Sequence, residues 1–549
     1  MPPKPAPNLR FKIILPWILL FLFLSSLPYA AAWLAPPEGK QFVGTFVNPD
    51  DLSTYLAAIR QGGQGYWLFH FPFSPEPWRP QLMLLPYLLL GKVMAVLGGR
   101  TLFWFHTFRL TAVLFSLSAI LLWVRTLFPG RARLQLTGWF FIVFGSGVGW
   151  LVAIVGLGNR WANALIDLGG PEWSTFMALF HTPHFALGLG LEIVLFTAVI
   201  KMSTLPYPGR WVVIAIVTAI ASGLTYAYHI PVAGLVIGLY LLALAWQQRR
   251  IPWRLWGYGA LVLLPQTLML LNYAILANRD PYFAAYARNE HVIPPPPVLG
   301  AVIGIGFITV LAVIGLRPWR RDGRNSLIPI WAAANLIVLY LPIIQFSGRF
   351  ALGLMVPLST LAVLGLEAVI LPWLAQRPFY TRFSQWTPTP YASLRRLFLF
   401  LVVPSTIILP FLLTKTAVTT PDFPTYIPTS ETSAANWLSQ NSSPDDLILA
   451  AYPMGNYLPR LILGTVFLGQ LDFTTDLPGK LALVEQFWQP DTSLAWRETF
   501  IQEWGIDYIY VGQYEAELGD TAVSLPGSII YEQNDVIIRR ISQGNGVGD

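Results

Sequence analysis

Apolar residues run along this chain in blocks longer than a soluble core helix needs, and short polar loops separate the blocks. A helix that crosses a bilayer takes about 20 mostly apolar residues. Runs of that kind lie at 13 to 34, 101 to 124, 136 to 157, 178 to 200, 211 to 227, 230 to 246, 255 to 277, 298 to 316, 326 to 346, 350 to 374 and 397 to 414, and they predict eleven spans. The stretch 81 to 97 is shorter and carries Pro86 and Lys92. Counting it as a span puts Arg125, Arg131 and Arg133 outside and inverts every later loop, so charge bias lays it in the interface.

With that choice the basic residues gather on one side. The inner loops hold Arg125, Arg131 and Arg133, then Lys201 and Arg210, then Arg249, Arg250 and Arg254, then Arg317, Arg320, Arg321 and Arg324, then Arg377, Arg382, Arg395 and Arg396. Asp322 is the one acid among them. Lys4, Arg10 and Lys12 precede the first run and set the amino terminus in the cytoplasm. Tyr29-Ala30-Ala31-Ala32 has the form of a signal-peptide cleavage region, but the many later spans favour an uncleaved anchor. The expected fold is a polytopic α-helical membrane domain over 1–415, with a large first outer loop at about 35–100, followed by a soluble extracytoplasmic α/β domain over 416–549. In that domain Leu447 to Tyr452, Asp507 to Gly512, Ser528 to Glu532 and Val536 to Ile541 read as strands, and 430 to 440, 480 to 488 and 494 to 504 as helices. Pro294 to Pro297 reads as a stiff extended piece of an outer loop.

Composition agrees and excludes other classes. Of 549 residues 54% are hydrophobic and 11% charged, with a mean hydropathy of +0.54, whereas a soluble domain carries roughly 25% charged residues. A soluble enzyme, a disordered chain and a nucleic-acid partner are thereby excluded for most of the length. The net charge of +7 reports membrane orientation, because the basic residues sit in the inner loops. Cysteine is absent, which removes disulfides, thiol nucleophiles and thiolate metal sites.

The first outer loop carries the sharpest chemical signal. Leu52, Tyr55, Leu56 and Ile59 recur at helical spacing and predict a short amphipathic helix at the membrane surface, ended by Gly62 and Gly63. Asp50 and Asp51 fall in its first turn. Helix physics alone accounts for them: Asn48 suits the N-cap, Pro49 the first helical position, and acids the positive end of the dipole.

The element Asp51-Leu52-Ser53-Thr54-Tyr55 resembles the Asp-Glu-x-x-Tyr-like element after the first span of the GT-C superfamily of membrane glycosyltransferases. The likeness is to its bacterial branch, similar to protein mannosyltransferases and the lipid A aminoarabinose transferase. Leu52 stands where many members have Glu, with Asp50 as a partial replacement. Ser74 to Pro80, containing Glu76, resembles the family's second acidic or His-Pro-Pro element but lacks that triplet. Phe105 to Arg109, Gln345 to Phe350, Gly455 to Pro459 and Asp507 to Gly512 resemble further family segments. The resemblance implies a multi-pass enzyme of the cell (plasma or inner) membrane. It would move a sugar, with inversion, from a polyprenyl-phosphate donor in the membrane lipid to an unknown extracytoplasmic acceptor. Asp51, with Asp50 as competitor, would be the general base or a metal ligand, and Glu76 would assist it or share a divalent cation, Mg or Mn. Tyr55, Arg109, Arg349 and His184 would bind substrate, the arginines through their affinity for phosphate.

Each of these residues has a plainer reading. Glu76 is also a solvated loop acid between prolines, and Arg349 a snorkelling helix-end arginine. His181-Thr182-Pro183-His184 reads as a metal pair or as hydrogen-bonded cap histidines, and His229 as structural. Asn278 to Pro281 and Arg288 to His291 read as an acceptor or lipid entrance, or as a polar surface loop. Glu192 falls inside an apolar run, where an acid faces protein or water. A transporter or flippase using Glu192 and Arg109, and a noncatalytic envelope assembly protein of the same architecture, are the rival classes.

Overall fold

The computed structural model describes residues 8–155, 166–289, 293–341, 346–419, 422–519, 521 and 524–541. Lys4, Gln345, Glu290 and His291 lie outside the described residues. By contacts the chain forms two compact units. The first contains Met1–Leu27, Phe108–Ala274 and Val292–Leu412; the second contains Pro28–Thr107, Ile275–His291 and Leu413–Asp549.

Every run read as a span is helical over most of its described length, but the helices differ in reach. Among the described residues seven are long and apolar enough to cross a membrane: Phe11–Leu34, Thr101–Leu127, Pro183–Thr204, His229–Gln248, Trp253–Arg279, Val298–Arg321 and Met355–Ala375. An eighth forms if Pro390–Val402 and Pro404–Thr419, bent by 45°, count together. Pro404 has no N–H to continue the ladder, which accounts for the break. The runs at 136, 211 and 326 give the shorter apolar helices Ala132–Phe144, Gly209–Thr225 and Leu327–Leu339. The first of these stops where Gly145 turns extended at ψ 133°. The protein is a multi-pass membrane protein.

Within the first unit small residues let helices touch backbone to backbone. A Cβ on Gly315 would come within 2.0 Å of Leu361 O, and one on Gly365 within 2.0 Å of Leu311 O, so Val298–Arg321 and Met355–Gly365 cross where neither has a side chain. Thr360, Trp123 and Ser359 add hydrogen bonds among the buried helix faces.

In the second unit the helix Pro49–Gly63 buries Leu52, Tyr55, Leu56 and Ile59, but Ser53, Thr54, Ala57, Ala58 and Gln61 are buried as well, so protein covers most of its faces and it is not the amphipathic surface helix that its periodicity predicts. It crosses the helix Leu85–Leu97, formed by the stretch read as interfacial, at glycines. A Cβ on Gly62 would meet Leu88 O at 2.0 Å, and one on Gly91 would meet Ile59 O at 1.9 Å. Strands β1 (Lys40–Phe42) and β2 (Tyr426–Pro428) pair antiparallel. The larger sheet holds β3 (Leu447–Leu449), β4 (Thr465–Val466), β5 (Tyr508–Val511), β6 (Ser528–Gln533) and β7 (Val536–Arg540) in the order β4-β3-β5-β7-β6. Its β3 pairs are parallel and its β7 pairs antiparallel. Asn534 and Asp535, at φ 49° and 65°, make the tight turn between β6 and β7. Helices Thr429–Asn441, Leu477–Trp488 and Leu494–Trp504 accompany this sheet as expected. Its two faces bury Ile448, Tyr510 and Ile538 on one side and Leu449, Ile509 and Trp488 on the other.

Candidate functional site

Asp50 and Asp51 occupy the first turn of Pro49–Gly63, and local chain geometry presents them together. Asn48 stands at the N-cap with Pro49 after it, but in a left-handed conformation (φ 46°) and without a side-chain bond to the backbone. Its amide Nδ2 instead donates to Asp51 Oδ2 at 3.0 Å. The capping expectation is thus corrected in its mechanism: the amide serves the carboxylate. One turn on, Tyr55 OH donates to the same oxygen at 3.4 Å. Tyr55 is itself held in a stack, 4.7 Å from Tyr87 and 6.2 Å from Phe105 between ring centres; such pairs contribute about 1 kcal/mol each.

The remaining partners come from residues about 400 positions later, and motif reading misses them. Gln470 Nε2 donates to Asp51 Oδ1 at 3.0 Å. Asn456 Nδ2 donates to Asp50 through its backbone O and its Oδ1, both at 3.3 Å. Arg460 is buried and spreads its guanidinium over Ser53 Oγ (2.9 Å), Val43 O (3.1 Å) and Pro49 O (3.4 Å). Burial pulls its pKa down to about 10, against the pull of Tyr457 and Asp50, so it stays charged at neutral pH. Burial pushes Asp50 up from the usual carboxylate range, opposed by Asn456 and Arg460. The segment Gly455 to Pro459, picked out by the family resemblance, contains Asn456 and borders Arg460. Nothing in the sequence marks Gln470.

Glycines bring these partners together. A Cβ on Gly455 would lie 2.0 Å from Leu468 O, and one on Gly469 would lie 2.7 Å from Gly455 O. Only bare backbone allows the helix Tyr452–Tyr457 and the segment before Gln470 to pass this closely.

Glu76 is committed elsewhere. Its oxygens take an ion pair from the buried Lys480 Nζ at 2.7 and 2.8 Å and a short bond from Ser74 Oγ, which Lys480 also reaches at 2.9 Å. Burial lowers the Lys480 pKa and Glu76 opposes that. The Mg or Mn ion implied for Asp51 and Glu76 does not fit these two groups as they stand, because N–H and O–H donors already face their oxygens. Among the described residues no three His, Asp or Glu side chains are arranged to hold a metal.

The other candidates belong to the first unit. Arg349 Nη1 pairs with Glu172 Oε1 at 2.8 Å, and Tyr226 OH donates to its backbone O at 3.2 Å. Its Nε is buried without a partner. His184 Nδ1 and His181 Nδ1 each meet Thr182 Oγ1 at 3.2 Å, the hydrogen-bonded arrangement rather than a pair facing one ion. Arg109 is buried, with Nη1 on Ser25 O at 3.2 Å and Nη2 on Ser26 Oγ at 3.5 Å. Glu192, whose partner the sequence does not name, has His229 Nε2 at 3.5 Å from its Oε2. Ser222 Oγ sits 3.0 Å from His229 Nδ1. Asp167, not singled out by sequence, receives Ser405 Oγ at 2.8 Å, Gly149 N at 3.1 Å and Ser146 Oγ at 3.2 Å. Asp280, in the outer-loop segment, caps Pro281–Asn289 by accepting from the N–H groups of Tyr282 and Phe283, each at 3.0 Å.

No protein-family model matches the sequence, and no curated protein does. Solved structures do match. The apo oligosaccharyltransferase of Archaeoglobus fulgidus superposes with a TM-score of 0.54 at 12% identity, covering 91% of this chain and 69% of that one. ArnT from Cupriavidus metallidurans bound to undecaprenyl phosphate gives 0.51 at 14% identity over 95% of this chain and 98% of its own. The fold is the GT-C fold. A third GT-C structure, the arabinofuranosyltransferase AftD from Mycobacteria, gives 0.51 at 14% identity over 97% of this chain, which spans 40% of AftD. All three are glycosyltransferases, and the likeness to them is one of fold.

Proposed function

We propose that this protein is an inverting GT-C-type glycosyltransferase that moves a sugar from a polyprenyl-phosphate donor to an extracytoplasmic acceptor, with Asp51 as general base. The observation that carries the reading is the Asp51 carboxylate, presented by the first turn of the helix Pro49–Gly63. The amides of Asn48 and Gln470 and the Tyr55 phenol donate to it. In the proposed step an acceptor hydroxyl gives its proton to Asp51 while its oxygen bonds to the anomeric carbon. The bond from that carbon to the phosphate oxygen breaks on the opposite face, and the electron pair leaves with the polyprenyl phosphate. A positioned base of this kind contributes about 10²- to 10⁴-fold.

Within the first unit Arg349 is proposed as an anion-binding group, its unpartnered Nε being a donor suited to phosphate. The amino terminus is proposed to be cytoplasmic and the carboxyl-terminal α/β domain extracytoplasmic, on the distribution of Lys and Arg. The test supplies purified protein in nanodiscs with a panel of undecaprenyl-phosphate sugars labelled in the sugar. Release of label by the wild type and its loss in Asp51→Asn is the expected result. Equal release by both removes Asp51 from the chemistry, and vesicle uptake of labelled donor without cleavage turns the reading to transport.

A further inference from the structure

A solvent-open cleft of about 670 Å³ lies along the join between the helices Leu477–Trp488 and Leu494–Trp504, and its size is usual for a small-molecule site. Glu485 and Gln486 line it from the first helix, Gln489 and Asp491 from the connecting loop, and Trp496 from the second helix. The loop has a fixed shape. Buried Arg497 donates from Nε to Phe487 O at 2.8 Å and from Nη2 to Gln489 O at 2.7 Å, which satisfies carbonyls at the end of the first helix. Thr492 Oγ1 donates to Gln486 O at 2.7 Å, and Ser493 Oγ accepts from Trp496 N at 3.2 Å to start the second helix.

The groups that face the cleft are not needed for that shape. Glu485, Gln486 and Asp491 are exposed, and among the described residues their side chains make no ion pair or hydrogen bond. Gln489 Nε2 donates to Leu518 O at 3.3 Å, which leaves its Oε1 as a free acceptor. Trp496 is half-buried. Phe500 stacks on one face of its indole, with ring centres 5.3 Å apart and planes within 8°, and among the described residues no second ring covers the other face. The platform is therefore set before any ligand arrives, and little side-chain freedom remains to be lost on binding.

We infer that this cleft binds an uncharged saccharide, with Trp496 as the platform and Glu485, Gln486, Gln489 and Asp491 as partners for its hydroxyls. A pyranose ring offers a face of C–H bonds and a rim of hydroxyls, each of which both donates and accepts. The indole face suits the C–H bonds, while carboxylates and carboxamides present paired polar atoms to neighbouring hydroxyls. A hydroxyl that donates to a carboxylate makes one of the stronger hydrogen bonds. Charge selects within the class. Two carboxylates without a cation, and no Lys or Arg among the lining residues, repel uronates and phosphorylated sugars. Arg497 beneath does not offset them in this role, because its donors are taken by two carbonyls. The inference goes beyond the glycosyltransferase reading and does not depend on Asp51.

The test measures binding of cellotetraose, maltotetraose, mannotetraose and N-acetylchitotetraose to the full protein in nanodiscs by surface plasmon resonance, with empty nanodiscs as the reference. At least one is expected to bind with a millimolar Kd, and tetragalacturonate to show no binding in that range. The double variant Glu485→Ala, Asp491→Ala changes exposed positions without partners, so it should keep the melting temperature and weaken the binding by about tenfold or more. Trp496→Ala should weaken it at least as much; if that variant does not fold, the double variant carries the test. Absence of binding by every neutral probe at about 10 mM, an unchanged affinity in the double variant, or equal binding of tetragalacturonate overturns the inference. Saccharide binding lost in the double variant, in a protein that releases no sugar from the undecaprenyl-phosphate panel, would leave this site standing and remove only the catalytic reading.

Discussion

The ion-paired carboxylates of the first unit and the first-turn aspartates of the second are held by different kinds of partner. In the first unit Glu172 pairs with Arg349, Glu367 with Arg395 and Glu192 with His229, and Asp167 is surrounded by two serines and a backbone N–H. In the second, Asp50 and Asp51 are oriented by the amides of Asn456, Asn48 and Gln470 and by Tyr55. Among buried helices a charge far from water must be met by an opposite charge, an imidazole or several dipoles. Around Asp51 the amides of Asn48 and Gln470 and the Tyr55 hydroxyl orient the carboxylate. The difference separates acids tied to a cation, an imidazole or several dipoles between helices from acids oriented by side-chain amides and a phenol.

The strongest way to break this comparison is to neutralise Asp51. Asp51→Asn is expected to lower sugar release from the donor panel by about 10²-fold or more, and Asp50→Asn by less than about tenfold. Equal losses would make the pair one unit. Arg460→Ala removes a buried cation and orphans Ser53 and two carbonyls. It should destabilise the second unit by about 2 to 4 kcal/mol, read as a lower melting temperature. For the first unit, Glu192→Ala, His229→Ala and the double variant form a cycle with an expected coupling of about 1 kcal/mol; additive losses would mean the two are not partners.

The pH dependence of stability sharpens the picture inside the second unit. Glu515 is buried beside Glu431, and these two causes, burial first, push its carboxyl up to about 8 despite the N–H groups of Ala451 and Gly512. A raised value in the folded state means that the native unit binds the proton more tightly than the unfolded chain. The stabilisation is therefore complete below the ordinary glutamate range and is lost as pH rises through about 8. Melting temperature should fall between pH 5 and 9, more gently in Glu431→Gln. The smallest effect belongs to Lys40→Ala: its pair with Asp422, 2.7 Å apart, is largely in water, so the change should stay below about 0.5 kcal/mol.

Much of the helical unit was legible because a bilayer imposes a long apolar run on each crossing, a signal that needs no partner. Breaks within runs were less so. His181 and Thr182 separate Thr175–Phe180 from Pro183–Thr204 inside one apolar block, and Pro404 bends another. In the second unit, β3, β5, β6 and β7 followed from β-branched and aromatic runs, whereas β1 and β2 exist through pairing with each other across distant chain and β4 has only two residues. The first-turn aspartates were visible from helix periodicity. Their orienting amides were not: Gln470 and Asn456 are ordinary polar residues until the chain closes, and an amide 419 positions from its carboxylate leaves no local pattern. Asn48 was visible and asparagine is one of the few residues that favour the left-handed region, but its choice of Asp51 over the backbone depends on that conformation being adopted at the cap.

The pairing of β1 with β2 is backed by the Thr429 N–H and Oγ1, which both donate to Gly39 O, 390 positions away in the sequence. A ribosome that has already delivered Lys40 must add nearly four hundred residues before that strand finds its neighbour, and some forty more before Gln470 emerges. During this interval the first-turn acids stand without their distant amides. Biogenesis thus leaves the acid pair incomplete until late in synthesis, and a nascent chain stalled before residue 470 would carry the aspartates but not the clamp that steers them.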